Sequence, residues 1–368
     1  MVKRLAHAAF TSYFRRFPIR KGKEVLLPLL WKPFSFGQYT RDVTLRHGSV
    51  RIHCDLTKFL QRHLYFFASY EEQQCAFWME MASSATTIFD LGANIGLYSL
   101  LAARVAPTAT IHAFEPTPEL YESLVHHMRL NHFGNAVCNT QAIGSASGKG
   151  FLQRCGGSDG NNEAMNFVTT EQNRHDDPHI EIVSIDDYCC HNGIDHIDLM
   201  KIDIEGGEHD ALQGARQSLS RKGISCIFIE LSDICANRSG HSTVEIKRIL
   251  LAAGYHLYRL GSRGLTRVPA EEVHEYENII ALAHEPTFPE PTQRYQRIYE
   301  TRAVRERRRL EPSNRATTLV RFWAERLPAG QGSESSPSGR ARPQGGGHGT
   351  EPGRLVFIRV SRVFRISR

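Results

Sequence analysis

The chain has 368 residues, 41% of them hydrophobic, with 45 basic and 39 acidic side chains and a formal net charge of +6. A mean hydropathy of −0.36 and the absence of a long apolar run favour a globular protein of one large domain with extensions, and argue against a membrane-spanning one. Residues 51–300 hold 20 basic against 32 acidic side chains, residues 1–50 hold 10 against 2, and residues 301–368 hold 15 against 5. The basic character therefore belongs to the two ends and does not predict nucleic-acid binding.

Location and partners are predicted from cysteine usage and from the ends of the chain. Eight cysteines, none in a C-x-x-C pair, indicate reduced thiols in a cytoplasmic protein, and no signal-peptide pattern is visible. Residues 1–40 are expected to form a basic leader that lies loosely on the domain. Residues 290–368 are basic and of low complexity, which predicts a disordered tail. Both basic ends are candidates for peripheral contact with a membrane.

Residues 41–85 are predicted to cover the domain. The alternation of residues 43–56 around His47-Gly48 is typical of a β-hairpin. The aromatic-rich residues 59–81 indicate helices that lead into the first core strand.

The stretch Thr86–Ala106 predicts the front half of a nucleotide-binding unit. A short apolar strand runs into DLGANIG (residues 90–96), where two glycines allow a tight turn, and a helical pattern follows. The spacing is not that of a dinucleotide or P-loop motif. Asp90 would repel a pyrophosphate but suits a ligand with an ammonium group and hydroxyls, so the predicted ligand is S-adenosylmethionine.

A second strand, residues 110–114, ends in Glu115, nineteen residues after Gly96. An acidic side chain at the carboxyl end of this strand can accept hydrogen bonds from a ribose diol. The combination of the glycine turn and Glu115 therefore favours a cofactor site.

The rest of residues 86–285 alternates between helices and strands. A helix is predicted at 119–133, strands at 137–143, 197–204 and 224–231, and a closing antiparallel pair at 256–260 and 278–282. This order predicts a doubly wound, mostly parallel α/β sheet. The insertion 144–178 either recognises the substrate or forms a surface hairpin, and its residues 156–162 are expected to be mobile.

Three motifs in order, DLGANIG, Phe114-Glu115-Pro116 and IDLMKIDIEGGEHDALQGA (residues 197–215), resemble the FkbM family of S-adenosylmethionine-dependent methyltransferases. The likeness extends over roughly residues 50–285, because an upstream stretch is also similar to the family's lead-in segment: Asp55-Leu56, Phe59-Leu60-Gln61-Arg62, Tyr65 and Ser69-Tyr70-Glu71. It implies a class I methyltransferase (Rossmann-like) fold, S-adenosylmethionine as cofactor, and methyl transfer to a hydroxyl of a sugar, glycan or polyketide-like acceptor. The candidate cofactor-binding residues are Asp90, Gly92, Ala93, Asn94, Gly96, Tyr98, Glu115, Pro116, Ala142 and Ile143.

The candidate catalytic residues are Lys201, Asp203 and Glu205. An alcohol must lose a proton when it is methylated, and Asp203 and Glu205 stand at the carboxyl edge of the fourth strand, where ligands of such sheets bind. Their side chains share a face if the strand continues to Glu205. Lys201 lies in an apolar strand and needs an acidic partner, so it is either catalytic or part of a structural ion pair with Asp203, Glu205 or Glu230.

Two alternatives remain open from the sequence. Asp203, Glu205, Glu208, His209 and Asp210 could hold Mg²⁺ in a catechol-type O-methyltransferase, although we predict no metal and expect His209 to be an ordinary helix-face residue. The other alternative is a non-catalytic module that binds the cofactor or a glycan. Neither the acceptor nor the oligomeric state can be determined from the sequence.

Overall fold

The computed structural model describes residues 2–16, 23–35, 39–153, 166–169, 178–261 and 264–285. The predicted mobile stretch 156–162 and the predicted tail 290–368 lie outside these residues. No helix in the described ranges is long and apolar enough to cross a membrane. The helices are α1 (Val2–Arg16), α2 (Lys23–Ser35), α3 (Phe59–Phe67), α4 (Glu72–Ala82), α5 (Leu97–Val105), α6 (Pro118–Leu130), α7 (Ile185–Asn192), α8 (Glu208–Gln213), α9 (Arg216–Ser220), α10 (Asp233–Arg238) and α11 (Thr243–Ala252).

The strands form a hairpin, a large sheet and a small sheet. Strands β1 and β2 make the predicted antiparallel hairpin over the N-terminal side of the domain. The strands are β1 (Thr40–Thr44), β2 (Arg51–Asp55), β3 (Thr87–Leu91), β4 (Thr110–Phe114), β5 (Ala136–Asn139), β6 (Ala142–Ile143), β7 (Gly148–Gln153), β8 (Phe167–Thr169), β9 (His179–Val183), β10 (Ile197–Ile202), β11 (Ile224–Ser232), β12 (His256–Gly261), β13 (Gly264–Arg267) and β14 (Tyr276–Leu282).

The large sheet has the strand order β13-β12-β14-β11-β10-β3-β4-β5. Strands β11, β10, β3, β4 and β5 are parallel, whereas β14 runs antiparallel between β11 and β12. The central strands are almost wholly apolar because both of their faces are covered by helices. This arrangement is the class I methyltransferase fold and confirms the predicted fold class, including the closing antiparallel pair.

The predicted third strand, residues 137–143, is divided between two sheets. Its first part, β5, pairs with β4, and its last two residues, β6, leave the large sheet and pair with β9. Strands β6, β9, β7 and β8 form the small sheet, so the insertion 144–178 contributes β7 and β8 to a second layer.

The predicted fourth strand ends earlier than expected. Strand β10 stops at Ile202, and Glu205 has the left-handed backbone angle φ 56°. The expectation that the strand carries Asp203 and Glu205 on one face is therefore wrong, because both residues belong to the loop that follows it.

The N-terminal helices pack tightly on the domain, so the expectation of a loose leader was wrong. Phe14 of α1 and Trp31 of α2 are only 2% and 4% exposed. The Phe14 ring meets Phe66 and Phe67 of α3 at centroid distances of 5.8 and 5.7 Å. The Arg15 guanidinium also donates to the Tyr65 carbonyl at 2.7 Å. The aromatic residues of α1 thus form part of the core, while basic ones satisfy backbone carbonyls at its edge.

We expect Phe14→Ala to lower the free energy of unfolding by about 3–5 kcal/mol, because it removes a buried ring and leaves a cavity between α1 and α3. Urea denaturation measures the change. Leu5→Ala in the same helix is the matched control, since Leu5 is 61% exposed. Equal, small effects of the two substitutions would contradict the packing of α1 against the domain.

Candidate functional site

A cavity of about 660 Å³ lies at the carboxyl edge of β3, β4 and β10. The large sheet provides its floor, and β7, β8 and the β6–β7 connection provide one wall. The start of α3 and the segment Tyr70-Glu71 provide another wall. Every predicted cofactor-binding and catalytic residue lines this cavity except Gly96, whose missing side chain instead makes room for Leu124 of α6.

The glycine turn is held between the ends of two strands. The backbone N–H groups of Gly92 and Ala93 both donate to the Phe114 carbonyl, at 3.0 and 2.9 Å. Gly92 has φ +77°, and a Cβ at this position would lie 1.8 Å from the Asp203 carbonyl oxygen. Only glycine fits here, so the turn brings its backbone directly against the loop that follows β10.

Glu115 holds this turn from the side of β4. Its Oε2 accepts from the Asn94 backbone N–H at 2.9 Å, and its Oε1 accepts from the Thr117 backbone N–H at 2.8 Å. Burial raises the pKa of Glu115 to about 7, although these donors act in the opposite direction. Each carboxylate oxygen has a second lone pair, so Glu115 can still accept hydrogen bonds from a ligand in the cavity.

Asp90 is buried at the end of β3 with one oxygen unsatisfied. Its Oδ2 accepts from the Ser99 hydroxyl at 2.5 Å, whereas Oδ1 has no hydrogen-bond partner among the residues that the structure describes. Burial raises the pKa of Asp90, and the nearby Lys201 partly opposes that shift. A buried, unpaired carboxylate oxygen is costly, and Asp90 is one of the residues that line the cavity.

Lys201 is the buried cation at the centre of this edge. The β10–β3 register pairs it with Asp90, its Nζ lies 2.5 Å from Asp203 Oδ2, and its ammonium lies 4.6 Å from the Tyr98 ring centroid. Burial lowers the pKa of Lys201, but the attraction of Asp203, Asp90 and Glu230 outweighs burial and raises it. Lys201 therefore remains charged and forms the ion pair with Asp203 that the sequence offered as one of its roles.

Glu71 and Glu230 complete the acidic surroundings of Lys201. Glu71 accepts from the Tyr98 hydroxyl at 2.7 Å and from the Tyr276 hydroxyl at 3.4 Å. Burial raises the pKa values of Glu71 and Glu230. The sequence indicated Glu230 only as a partner of Lys201 and Glu71 only as part of a family-like segment, because no local pattern places a residue before α4 against the end of β11.

Glu205 lies on the opposite side of the β10 loop. The Cys235 thiol donates to its Oε2 at 3.3 Å, and the Arg238 guanidinium donates to its backbone carbonyl at 2.8 Å. Burial, followed by the repulsion of Asp203, raises the pKa of Glu205 to about 8. Gly206 has φ +110°, and a Cβ on it would lie 2.7 Å from the Cys235 carbonyl, so the loop turns tightly against α10.

The five residues that the sequence offered as magnesium ligands do not gather at one point, because several of them bind other partners. Asp203 pairs with Lys201, and both oxygens of Glu208 accept from backbone N–H groups of the loop, those of Ile204 and Gly206. Among the described residues, the side chains that gather with metal-ligand spacing are His209, Asp210 and His241. Only two of these belong to the set drawn from the sequence.

Residues 90–257 match the family model of the methyltransferase FkbM domain. This stretch of the chain is similar to FkbM methyltransferase domains. The match confirms the resemblance inferred from the three motifs, and the FkbM family uses S-adenosylmethionine, which is the cofactor that the sequence predicts.

Three relatives align with the FkbM domain and its surroundings. Methyltransferase sdnD of Sordaria araneosa is 32% identical over 34% of this chain and 59% of its own length. The 31-O-demethyl-FK506 methyltransferase FkbM of Streptomyces tacrolimicus is 25% identical over 48% of this chain and 80% of its own length. The 2-O-methyltransferase NoeI of Sinorhizobium fredii is 26% identical over 40% of this chain and 63% of its own length. The chain thus spans less than two thirds of sdnD and of NoeI.

In the FkbM domain, Lys201→Met should lower the free energy of unfolding by about 3–5 kcal/mol, because it removes one partner of a buried ion pair. Without Lys201, the pKa values of Asp90 and Glu230 in the folded state are raised further, so the folded state binds more protons than the unfolded chain. Stability should fall further as the pH rises above the ordinary pKa values of 3.8 for Asp90 and 4.5 for Glu230.

Urea denaturation at an acidic and a mildly alkaline pH measures this loss. Lys201→Met combined with Asp203→Asn is the control, because it also removes one of the unpaired carboxylates and should recover part of the stability. A loss that is independent of pH would show that the charge of Lys201 does not stabilise the edge of the sheet.

Proposed function

We propose that this protein transfers a methyl group from S-adenosylmethionine to a hydroxyl oxygen of a small-molecule or glycan acceptor. The observation that carries the proposal is the cavity at the carboxyl edge of an FkbM methyltransferase domain, where the glycine turn, Glu115 and the unpaired oxygen of Asp90 meet. Ligands of open α/β sheets bind at this edge.

The residues present fit the cofactor. The backbone of Gly92 and Ala93 allows close approach, Glu115 offers lone pairs to the ribose hydroxyls, and Asp90 Oδ1 offers an acceptor to an ammonium group. The carboxylate of Asp203 also lines the cavity, and negative charge there favours a cationic ligand. Tyr98, Pro116, Ala142 and Ile143 also line the cavity and would contact the rest of the molecule.

When bound, S-adenosylmethionine supplies a methyl group on a sulfonium sulfur, which is electrophilic without help from a metal. The chain must then hold the acceptor oxygen in line with that methyl and take its proton. Positioning alone can provide about 7–11 kcal/mol of the barrier.

Glu205 is the residue that we assign as the proton acceptor, with Asp203 beside it. The raised pKa of Glu205, about 8, suits a base that works near neutral pH. Asp203 is held as the partner of Lys201 at 2.5 Å, so its carboxylate is already engaged by the ammonium. Lys201 then has the role of fixing Asp203 and balancing the charge of the site.

The names of two relatives and the residues of the cavity wall support the proposed acceptor class. Two relatives carry names that specify transfer to oxygen, at a 31-O position and a 2-O position. The wall that faces the cofactor edge is polar, with Ser145, Ser147, Lys149 and Asn166 from the insertion. Such a wall suits a polyhydroxylated acceptor, so a sugar, glycan or polyketide-like molecule is the proposed substrate.

Glu115→Ala should weaken the binding of S-adenosylmethionine by about 1.5–3 kcal/mol, because it removes a charged acceptor of hydrogen bonds. Hydroxyl donors favour the ionised carboxylate, so the affinity of the unsubstituted protein should increase as the pH rises through about 7. Calorimetry at several pH values measures both effects.

Glu122→Ala, on the exposed side of α6, is the matched control for Glu115→Ala. Because Glu115 also holds the glycine turn, melting temperatures should be measured on each variant. Unchanged cofactor affinity in Glu115→Ala would contradict this assignment of the site.

Glu205→Gln should reduce methyl transfer by about 10²–10⁴-fold, because glutamine keeps the size of the side chain but cannot accept a proton. In the unsubstituted protein the rate should rise with pH and level off above about 8, as Glu205 becomes ionised. The assay follows labelled methyl groups from S-adenosylmethionine to a panel of sugars, lipid-linked glycans and small phenols.

The exposed Glu181→Gln on β9 serves as the control for Glu205→Gln, since its side chain lies away from the β10 loop. The melting temperature should stay unchanged or rise in Glu205→Gln, because the substitution removes a buried charge that Lys201 does not pair with. A fully active Glu205→Gln protein would leave positioning as the mechanism. Absence of transfer to every acceptor, with intact cofactor binding, would favour the non-catalytic alternative.

A further inference from the structure

A cluster of three side chains with metal-ligand spacing lies at the rim of the cavity. His209 and Asp210 belong to α8, and His241 belongs to the connection between α10 and α11. Their nearest ligand atoms all lie within 4.8 Å of one another. The two imidazole rings are stacked, with centroids 3.5 Å apart and an angle of 14° between their planes.

The geometry points to a Zn²⁺ site formed by His209, Asp210 and His241. Two imidazole nitrogens and one carboxylate oxygen are a ligand set that zinc uses, with the fourth tetrahedral position left open, whereas magnesium prefers oxygen ligands alone. Zinc–ligand bonds of about 2.0–2.2 Å put tetrahedral ligands roughly 3.3–3.5 Å apart. The stacked rings direct their nitrogen lone pairs in nearly parallel planes, so zinc binding would require at least one imidazole to rotate out of the stack. All three side chains are at least partly accessible, which leaves room for this rotation.

The surroundings of His241 match those of a metal-binding histidine. Glu245 Oε2 lies 3.9 Å from His241 Nδ1, and Glu245 is itself fixed by the capping box with Ser242 at the start of α11. This separation is longer than a hydrogen bond. If zinc binds at Nε2, closing the gap between Nδ1 and Glu245 would give the carboxylate–histidine–metal arrangement found in metal sites.

A zinc ion here would connect two segments that border the cavity. Asp210 lines the cavity on the side of α8, and Arg238 and Ser239 line it just before His241. The Ser239 hydroxyl lies 2.8 Å from the position of a Cβ on Gly206, so the same connection packs against the loop of Glu205. The ion would therefore fasten the α10–α11 connection over the β10 loop. This role goes beyond methyl transfer and does not depend on it.

Zinc binding can be measured on the complete, untagged chain after treatment with a chelator. Titration with zinc chloride in a calorimeter should give one site per chain with a micromolar or tighter dissociation constant. Cobalt(II) in place of zinc should give the visible absorption of a four-coordinate nitrogen and oxygen site. His209→Gln combined with His241→Gln should weaken zinc binding by at least about 100-fold, since even the loss of a residue behind a ligand costs ~10–100-fold.

His191→Gln is the control, because His191 is exposed on α7 and lies outside the cluster. It should leave zinc affinity unchanged. Zinc should raise the melting temperature of the unsubstituted protein and of His191→Gln, but not that of the double variant. Asp210→Asn gives an independent loss of affinity if the double variant does not fold. The proposal is overturned if the unsubstituted chain binds zinc only at millimolar concentration, or if the folded variants bind it as tightly as the control.

Discussion

The charge of Lys201 in the middle of the parallel sheet is the interaction on which the edge of the sheet depends. Its ammonium is buried, with Asp90 paired to it in register and Asp203 at 2.5 Å. Without this cation, the buried carboxylates around it would be stable only when protonated. With it, Asp203 is paired, and the ammonium opposes the rise that burial causes in the pKa values of Asp90, Glu71 and Glu230. Lys201 therefore allows acidic side chains to gather at the edge where a cationic cofactor would bind.

Three residues next to this charged edge have strained, left-handed backbone conformations. Glu71, Asn94 and Glu205 all have positive φ angles, of 39°, 52° and 56°, although none of them is glycine. Such conformations persist only when surrounding contacts determine them. Here the contacts are the Tyr98 hydroxyl on Glu71, the Glu115 carboxylate on the Asn94 backbone, and Arg238 on the Glu205 carbonyl. The three loops are therefore positioned by polar contacts that leave their functional groups on the cavity.

The sequence predicted the parts of the site that depend on local pattern. The glycine turn, Glu115 after β4 and the alternation of strands and helices each have a short-range signature, and the structure has all three. What could not be predicted depends on tertiary contacts. Strand β10 ends before Asp203 because Gly92 packs on the loop beyond it, and Glu71 reaches the site only because α4 lies beside α5. The segment of α1 was predicted to be an exposed basic leader. Its aromatic residues are buried by α3, and a partner so distant in sequence leaves no local pattern that predicts the contact.

The cavity extends beyond the matched FkbM domain, which has a consequence for acceptor choice. The domain match begins at residue 90, whereas the start of α3 and the segment Tyr70-Glu71 border the cavity from earlier in the chain. The insertion adds the opposite wall through β7 and β8. The edge that would bind the cofactor is part of the large sheet, where inserting or deleting one residue disturbs the strand register. The two walls are joined to the sheet by loops, and loops tolerate sequence changes. In this chain, the segment before the matched domain and the insertion are therefore the parts of the cavity where substitutions should change the choice of acceptor with least effect on the charged edge around Lys201.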